Sequence, residues 1–224
     1  MSAVVAIDDL VVGFDKDTPL LSINHLEVKP GEVISITGPS GIGKTSLLRT
    51  IAGLLKPISG SVKVCGSPYP KRPERGSVGY IPQRLGLVRH SSVWSNVMLG
   101  SRAGNPKSSS RKNASIAIEE MGLSEKKYEP IKRLSGGQQR RVATARTLAQ
   151  RPRLILADEF LSELDEGTTE RVVNSVLSYV RSSGSAMILV EHDVSRAKEI
   201  SDRLLVIDDG RLNPFISDTS IVEV

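Results

Sequence analysis

The stretch GPSGIGKTS, residues 38–46, restricts the fold of this chain more than any other part of its sequence. It matches the pattern of a glycine, four residues, Gly-Lys and a hydroxyl residue. An apolar run at 33–37 precedes it, and apolar residues follow at helical spacing, namely Leu47, Leu48, Ile51, Leu54 and Leu55. The sequence therefore predicts a β-strand, a glycine-rich turn and a helix that Pro57 and Gly60 end.

The residue types of this turn are those that bind phosphate. Gly41 and Gly43 allow successive backbone N–H groups to point at one anion, and the helix N-terminus adds its positive dipole end. Lys44 supplies a positive charge to the β and γ phosphates, and Thr45 supplies a hydroxyl ligand for Mg²⁺. We expect the turn to bind a nucleoside triphosphate through Gly38, Pro39, Ser40, Gly41, Ile42, Gly43, Lys44, Thr45 and Ser46.

The stretch LILADE, residues 154–159, supplies the acidic groups that such a site needs. Asp158 ends a predicted buried strand, and open α/β sheets bind their ligands at the carboxyl ends of strands. Asp158 is therefore expected to hold Mg²⁺ through water. Glu159 points to the opposite side of the strand, where it can orient and deprotonate an attacking water.

Predicted strands and helices alternate along the rest of the chain. Helices are predicted from Ser135 to about Gln150, over about 168–182 and over about 195–200. The middle, 84–133, is predicted to be mostly helical, with NPKSSSRKN at 105–113 as an exposed loop. Strand-like runs lie within 4–37 and at SVKVCG, SVGYIPQ, LILAD, AMILVEH and RLLVID. This alternation favours one α/β core with a parallel sheet and a helical insertion.

Composition excludes several classes of protein. A single cysteine, Cys65, rules out an internal disulfide, and no apolar run approaches the roughly 18 residues that cross a bilayer. The net charge is +5, but the basic residues are scattered and aromatic residues make up only 4% of the chain. Few bases could stack on so few rings, so the composition does not support nucleic acid as a partner.

Six motifs in order along the chain resemble those of the ATP-binding cassette family. The phosphate-binding turn is followed by YIPQ, which ends at Gln83 and resembles the family's Q-loop. LSGGQ at 134–138 is similar to its signature sequence. LILADE, SELD at 162–165 (similar to the D-loop) and EHD with His192 (the switch histidine) complete the series.

The resemblance implies further site residues. Two cassettes pair head to tail, so Ser135, Gly136, Gly137 and Gln138 would contact ATP on a second copy, and Asp165 would organise the crossing between the copies. Gln83 would sense the γ-phosphate and Mg²⁺, and His192 would hold the water and Glu159 in place. Phe14 resembles the aromatic residue that stacks on adenine, although it could instead pack in the core. Phe160 and Glu163 depart from the usual D-loop sequence.

The resemblance also implies the architecture. The whole chain, 1–224, would be one domain: a P-loop NTPase core with a parallel sheet (about 1–83 and 150–224), an antiparallel β subdomain, and an inserted α-helical subdomain (about 84–149). The implied ligands are ATP and Mg²⁺. The implied partners are a second copy, a transmembrane permease and a substrate-binding protein, which would place the chain at the cytoplasmic face of the cell membrane as a peripheral subunit.

Several functions fit these residues. The leading hypothesis is the ATPase subunit of an importer, similar to those for phosphonates or amino acids. Leu85, Leu87 and Val88 would then meet a short helix of the permease, or else fill the core of the helical subdomain. Export-type subunits of lipoprotein or macrolide systems, and a soluble ATPase for cofactor assembly, remain alternatives. A small-molecule kinase would explain neither the signature nor His192.

Overall fold

The structure of the protein is a computed structural model that describes residues 2–161, 164 and 166–215. The described strands are β1 Val5–Gly13, β2 Pro19–Val28, β3 Val33–Thr37, β4 Ser59–Val64, β5 Ser67–Pro68, β6 Val78–Ile81, β7 Leu154–Asp158, β8 Ala186–Val190, β9 Arg203–Asp208 and β10 Arg211–Pro214. The helices are α1 Lys44–Ile51, α2 Val93–Gly104, α3 Lys107–Glu120, α4 Gly136–Ala149, α5 Glu166–Ser183 and α6 Val194–Ile200. Two 3₁₀ turns, Ser124–Lys126 and Ile131–Arg133, lie between α3 and α4.

The described strands form one sheet in the order β5-β4-β1-β2-β10-β9-β3-β8-β7-β6. The five strands from β9 to β6 pair in parallel, whereas β1 pairs antiparallel with β2 and β4. The predicted α/β fold, with a parallel sheet and an antiparallel β region, is therefore confirmed. The sheet brings the carboxyl ends of β3, β6, β7 and β8 to one edge.

The central strands are buried on both faces. Every residue of β3, β7 and β8 is buried, as expected for parallel strands that are covered on both faces. One apolar cluster includes buried residues of α1, β1 and β2, and the other includes buried residues of α2 to α5. The edge of the sheet that carries the phosphate-binding turn is thus fixed by core packing from two sides.

Helices α2, α3 and α4 pack together beside β6. Close contact between α2 and α4 depends on glycine, because a Cβ atom at Gly100 would lie 2.0 Å from the carbonyl oxygen of Arg146. A side chain at Gly100 would therefore force the two helices apart. This packing fixes α4, whose first turn carries the predicted signature.

The structure corrects three predictions about elements. The run NPKSSSRKN is not a loop, since α3 begins at Lys107, directly after Pro106, whose fixed φ suits a helix start. Helix α1 ends at Ile51, before Leu54, because Gly53 takes a left-handed φ of 71°. Strands β5 and β10 were not predicted. None of the helices within the described residues is long and apolar enough to span a membrane.

Candidate active site

The phosphate-binding turn connects β3 to α1, as predicted. Gly43 takes a φ of 109° directly before Lys44, and a Cβ atom at Gly38 would lie 2.7 Å from the carbonyl oxygen of Ile207. Position 43 requires glycine for its backbone conformation, and position 38 requires glycine because a side chain would not fit there. The turn thus brings the N-terminus of α1 to the carboxyl edge of the sheet, where a helix end attracts anions.

The Lys44 ammonium group lies over this turn. Its Nζ donates to the carbonyl oxygens of Gly38 and Pro39, at 2.7 and 2.8 Å. Burial lowers the pKa of Lys44, and the nearby carboxylates of Glu159 and Asp158 oppose that shift. These carboxylates keep a cation at the centre of the site, where a triphosphate needs one.

Asp158 is tied to the turn and to β6. Thr45 Oγ1 donates to Asp158 Oδ1 at 3.2 Å, and the Tyr80 hydroxyl donates to Oδ2 at 3.3 Å. Burial raises the pKa of Asp158, while the hydrogen bond from Thr45 lowers it. Burial and the charge of Asp158 raise the pKa of Tyr80 to about 12, so the phenol stays a donor. Asp158 is therefore a buried, oriented carboxylate directly beside the Thr45 hydroxyl.

Glu159 lies between Gln83 and His192. Gln83 Nε2 donates to Glu159 Oε2 at 2.9 Å, and His192 Nε2 donates to Oε1 at 2.6 Å. Glu159 follows the last residue of β7 and has a left-handed φ of 51°, so it turns away from Asp158 at the strand end. The Asp158 carboxylate therefore faces Thr45, and the Glu159 carboxylate faces Gln83 and His192.

One cavity of about 400 Å³ brings most of the predicted residues together. Phe14 is 73% exposed at its rim, which contradicts the alternative that it packs in the core. Ile42 does not line the cavity, because it packs against the apolar cluster on the α1 side. The lining residues are Phe14, Leu20, Ser40, Gly41, Gly43, Lys44, Thr45, Ser46, Gln83, Glu159 and His192.

The predicted signature residues lie elsewhere. Ser135 is the N-cap of α4 and forms a capping box with Gln138: its Oγ accepts from Gln138 N–H, and Gln138 Oε1 accepts from Ser135 N–H. Ser135 and Gly136 are exposed, and none of the residues 135–138 is among those that line the cavity. The helix N-terminus is therefore open to a ligand outside this cavity. Asp165, Ser162 and Glu163 lie outside the described residues, so the predicted D-loop contacts stay predictions.

Sequence reasoning missed four residues around the site. Leu20 lines the cavity against Gly43, and Tyr80 bonds Asp158. Arg140 donates to the carbonyl oxygen of Glu159, and Glu191 is a buried carboxyl directly before His192. YIPQ and EHD contain two of these residues, but only the neighbouring strands and the turn after β7 give them partners.

Known proteins resemble this chain in sequence and in fold. The family described as "ABC transporter" matches residues 21–162. The L-cystine transport system ATP-binding protein TcyN of Escherichia coli (strain K12) is 38% identical over 95% of this chain and 89% of its own. A lipoprotein-releasing system ATP-binding protein, LolD of Hyphomonas neptunium, is 36% identical over 88% of this chain and 90% of its own.

Two further similarities are to an import protein and to a solved structure that contains ADP and Pi. The methionine import ATP-binding protein MetN of Mesorhizobium japonicum is 37% identical over 87% of this chain and 55% of its own. The ATP-binding cassette MJ0796, solved as a dimer in a post-hydrolysis state with ADP and Pi, superposes with a TM-score of 0.81. It is 28% identical and covers 93% of this chain and 96% of its own.

Proposed function

The chain belongs to the ABC transporter family as an ATP-binding subunit with ATPase activity, and we propose that two copies bind ATP between them to drive import through a membrane permease. The observation that carries the proposal is the position of Glu159. Its carboxylate is held by Gln83 and His192 in the cavity that Lys44 and Thr45 also line. A base that is aimed into a phosphate-binding cavity fits hydrolysis.

In the proposed reaction, Glu159 takes a proton from a water molecule as the water oxygen attacks the γ-phosphorus. The bond from that phosphorus to the β–γ bridging oxygen breaks, and ADP leaves with the freed electron pair. Lys44 stabilises the charge on the β and γ phosphates, and His192 and Gln83 keep Glu159 in line with the water.

The residues beside Thr45 fit Mg²⁺. This ion prefers hard oxygen ligands and is usually bound by one or two carboxylates together with substrate phosphates and water. Thr45 offers a hydroxyl oxygen, and Asp158 offers a buried carboxylate. Gln83 offers its amide oxygen, since the nitrogen of the same amide, Nε2, donates to Glu159. Within the described residues no group of three His, Cys, Asp or Glu side chains could hold a metal alone, which suits an ion that arrives with ATP. When bound, Mg²⁺ would neutralise phosphate charge.

The second copy would use the first turn of α4. Because residues 135–138 lie outside the cavity and the end of α4 is exposed, we assign this helix N-terminus to the γ-phosphate of ATP on the partner copy. The main-chain N–H groups of Gly136 and Gly137 would meet the phosphate. Asp165 would organise the crossing between the copies.

The permease would contact the segment after Gln83. Val88 is 46% exposed, whereas Leu87 packs against the apolar cluster on the α2 to α5 side. Val88 is therefore assigned to the permease, and Leu87 to the chain's own core. Such a complex would hold the chain at the cytoplasmic face of the membrane, and an importer would include a substrate-binding protein. The second candidate is lipoprotein release, which the 36% identity to LolD favours.

The test uses a tagged Glu159→Gln variant, which is expected to bind Mg-ATP and hydrolyse it very slowly. It is purified with ATP from native membranes in mild detergent, and the intact complex is weighed by mass spectrometry. Two copies with a multispanning protein and a substrate-binding protein would support import, and a bound lipoprotein would favour release. The control, Glu159→Gln with Lys44→Ala, should lose ATP and the pairing. A single copy that still holds ATP would overturn the assignment of Ser135 to a partner.

A further inference from the structure

The main chain at Glu159 is in an unusual conformation. Its φ of 51° lies in the left-handed region, which residues with a Cβ atom adopt rarely and at a cost in free energy. Such a residue keeps this conformation only where its surroundings hold it firmly. Gln83 and His192 hold the carboxylate, but both side chains are partly or fully exposed and neither fixes the backbone.

Arg140 holds the backbone at one end of the turn 159–161. Its Nη1 donates to the carbonyl oxygen of Glu159 at 3.1 Å, and Arg140 is only 2% exposed. The N–H of Glu159 is held as well, since it donates to the carbonyl oxygen of Val190 at 3.1 Å. A buried guanidinium is tolerated only with partners, so this contact fixes both groups.

Glu191 holds the other end of the turn. The main-chain N–H of Leu161 donates to the Glu191 carboxyl, which is 6% exposed. The N–H of Glu191 donates to the carbonyl oxygen of Ile36, at 3.1 Å, and so anchors it to β3. Glu191 Oε1 is buried and has no hydrogen-bond partner among the described residues, and the Leu161 N–H is a polar contact of this carboxyl with the turn.

We propose that Arg140 and Glu191 are positioning residues for ATP hydrolysis, which fix the turn 159–161 from its two ends and thereby aim the Glu159 carboxylate. The inference rests on the proposed role of Glu159 as the base. Neither residue lines the cavity, so each acts through the turn. A displacement of about 1 Å at a reacting group can cost about 100-fold in rate, so residues that hold this turn in place would preserve the rate of hydrolysis.

The first experiment compares Arg140→Met with Arg141→Met in the full chain. Arg141 lies next on the same helix, but its Nη1 donates to the carbonyl oxygen of Met121, at 3.0 Å, away from the turn. We expect kcat for ATP hydrolysis to fall by about 10- to 100-fold in Arg140→Met, with the Kd for ATP changed by less than about twofold. Arg140→Lys, which keeps a donor, should restore part of the rate. Arg141→Met should change kcat by less than about threefold, although it should lower the unfolding temperature about as much as Arg140→Met does.

The second experiment asks whether Arg140 acts through Glu159. Residues that act as a unit give non-additive effects, so Arg140→Met should change the residual rate of Glu159→Gln by less than about twofold. Additive losses would overturn the proposal for Arg140. If Glu159→Gln alone hydrolyses ATP at the parent rate, the role of Glu159 as base fails, and the inference fails with it. If Glu159→Gln is slow but Arg140→Met is as fast as its control, only the inference fails.

The third experiment separates position from charge at Glu191. A glutamine can still accept the N–H of Leu161 through its amide oxygen, whereas a leucine of similar size cannot. We expect Glu191→Gln to keep kcat within about threefold and Glu191→Leu to lose about 10- to 100-fold, with the Kd for ATP unchanged in both. Equal losses in the two variants would show that the charge matters rather than the hydrogen bond, and would overturn the proposal for Glu191. Should Glu191→Leu fail to fold, a large loss in Glu191→Gln alone would do the same.

Discussion

The imidazole of His192 donates from Nε2 to Glu159 Oε1 across 2.6 Å, although the two residues come from the ends of different strands, β8 and β7. Parallel pairing of these strands, with Asp158 opposite Val190, makes the contact possible. A histidine that is bonded to the base, rather than to the phosphate-binding turn, would serve to orient that base.

The first prediction concerns this pair. Glu159→Gln should lower kcat by about 10²–10⁴-fold, because an amide cannot accept the proton of the attacking water. His192→Ala should lower kcat less, since Gln83 still bonds the carboxylate. Phosphate release under saturating Mg-ATP measures both variants, and fluorescent-nucleotide binding checks that the Kd for ATP is retained. A His192→Ala loss larger than that of Glu159→Gln would contradict a purely orienting role.

The second prediction concerns Mg²⁺. Asp158→Asn keeps the size of the side chain but removes its charge, so the Mg²⁺ concentration for half-maximal hydrolysis should rise by about 10- to 100-fold. Thr45→Val should also raise it, because valine has the shape of threonine without the hydroxyl. A titration of Mg²⁺ at fixed ATP measures the change.

Thr45→Ser is the matched control for the metal prediction, since it keeps the hydroxyl oxygen. Its half-maximal Mg²⁺ concentration should stay near that of the parent chain. A shift as large in Thr45→Ser as in Thr45→Val would mean that the methyl group, rather than the hydroxyl, carries the effect.

The third prediction concerns Phe14 at the rim of the cavity. Stacking on a base contributes about 1–3 kcal/mol, so Phe14→Ala should weaken ATP binding by roughly 5- to 150-fold, whereas Phe14→Tyr should preserve it. Because the ring is exposed, the free energy of unfolding should hardly change. Inorganic tripolyphosphate, which has no base to stack, should bind Phe14→Ala and the parent chain equally. Tyr128→Ala, which removes another exposed ring, is the control.

Much of the site could be predicted because its chemistry is contiguous in sequence. The turn at 38–46 carries its own strand, glycines, lysine and hydroxyl, and the structure places these between β3 and α1 as expected. The motifs that contain Gln83, Glu159 and His192 predict a shared site, and the parallel order of β6, β7 and β8 explains why these three side chains lie together.

The remaining features depend on neighbours that sequence spacing does not reveal. Tyr80 reaches Asp158 because β6 pairs beside β7, with Tyr80 opposite Leu156. Glu191 is buried in the structure, and nothing in the sequence EHD indicates the burial of this carboxyl. The lysine and serines in the first turn of α3 make a low-complexity pattern that predicts a loop, and the prediction is wrong because such a pattern does not exclude a helix.

The last prediction concerns pH. The pKa of Glu191 is raised to about 7, and burial is the main cause. Arg196 and His192 oppose this rise, whereas Glu159 adds to it. In the unfolded chain this carboxyl has its ordinary pKa of about 4.5, so between about pH 4.5 and 7 the folded state holds more protons. The free energy of unfolding should therefore fall as the pH rises through this window, by an amount that approaches about 3 kcal/mol. Urea unfolding of the parent chain and of Glu191→Gln from pH 5 to 8 measures it: glutamine does not titrate, so the variant should gain stability relative to the parent as the pH rises. Parallel curves for the two chains would contradict a raised pKa at Glu191.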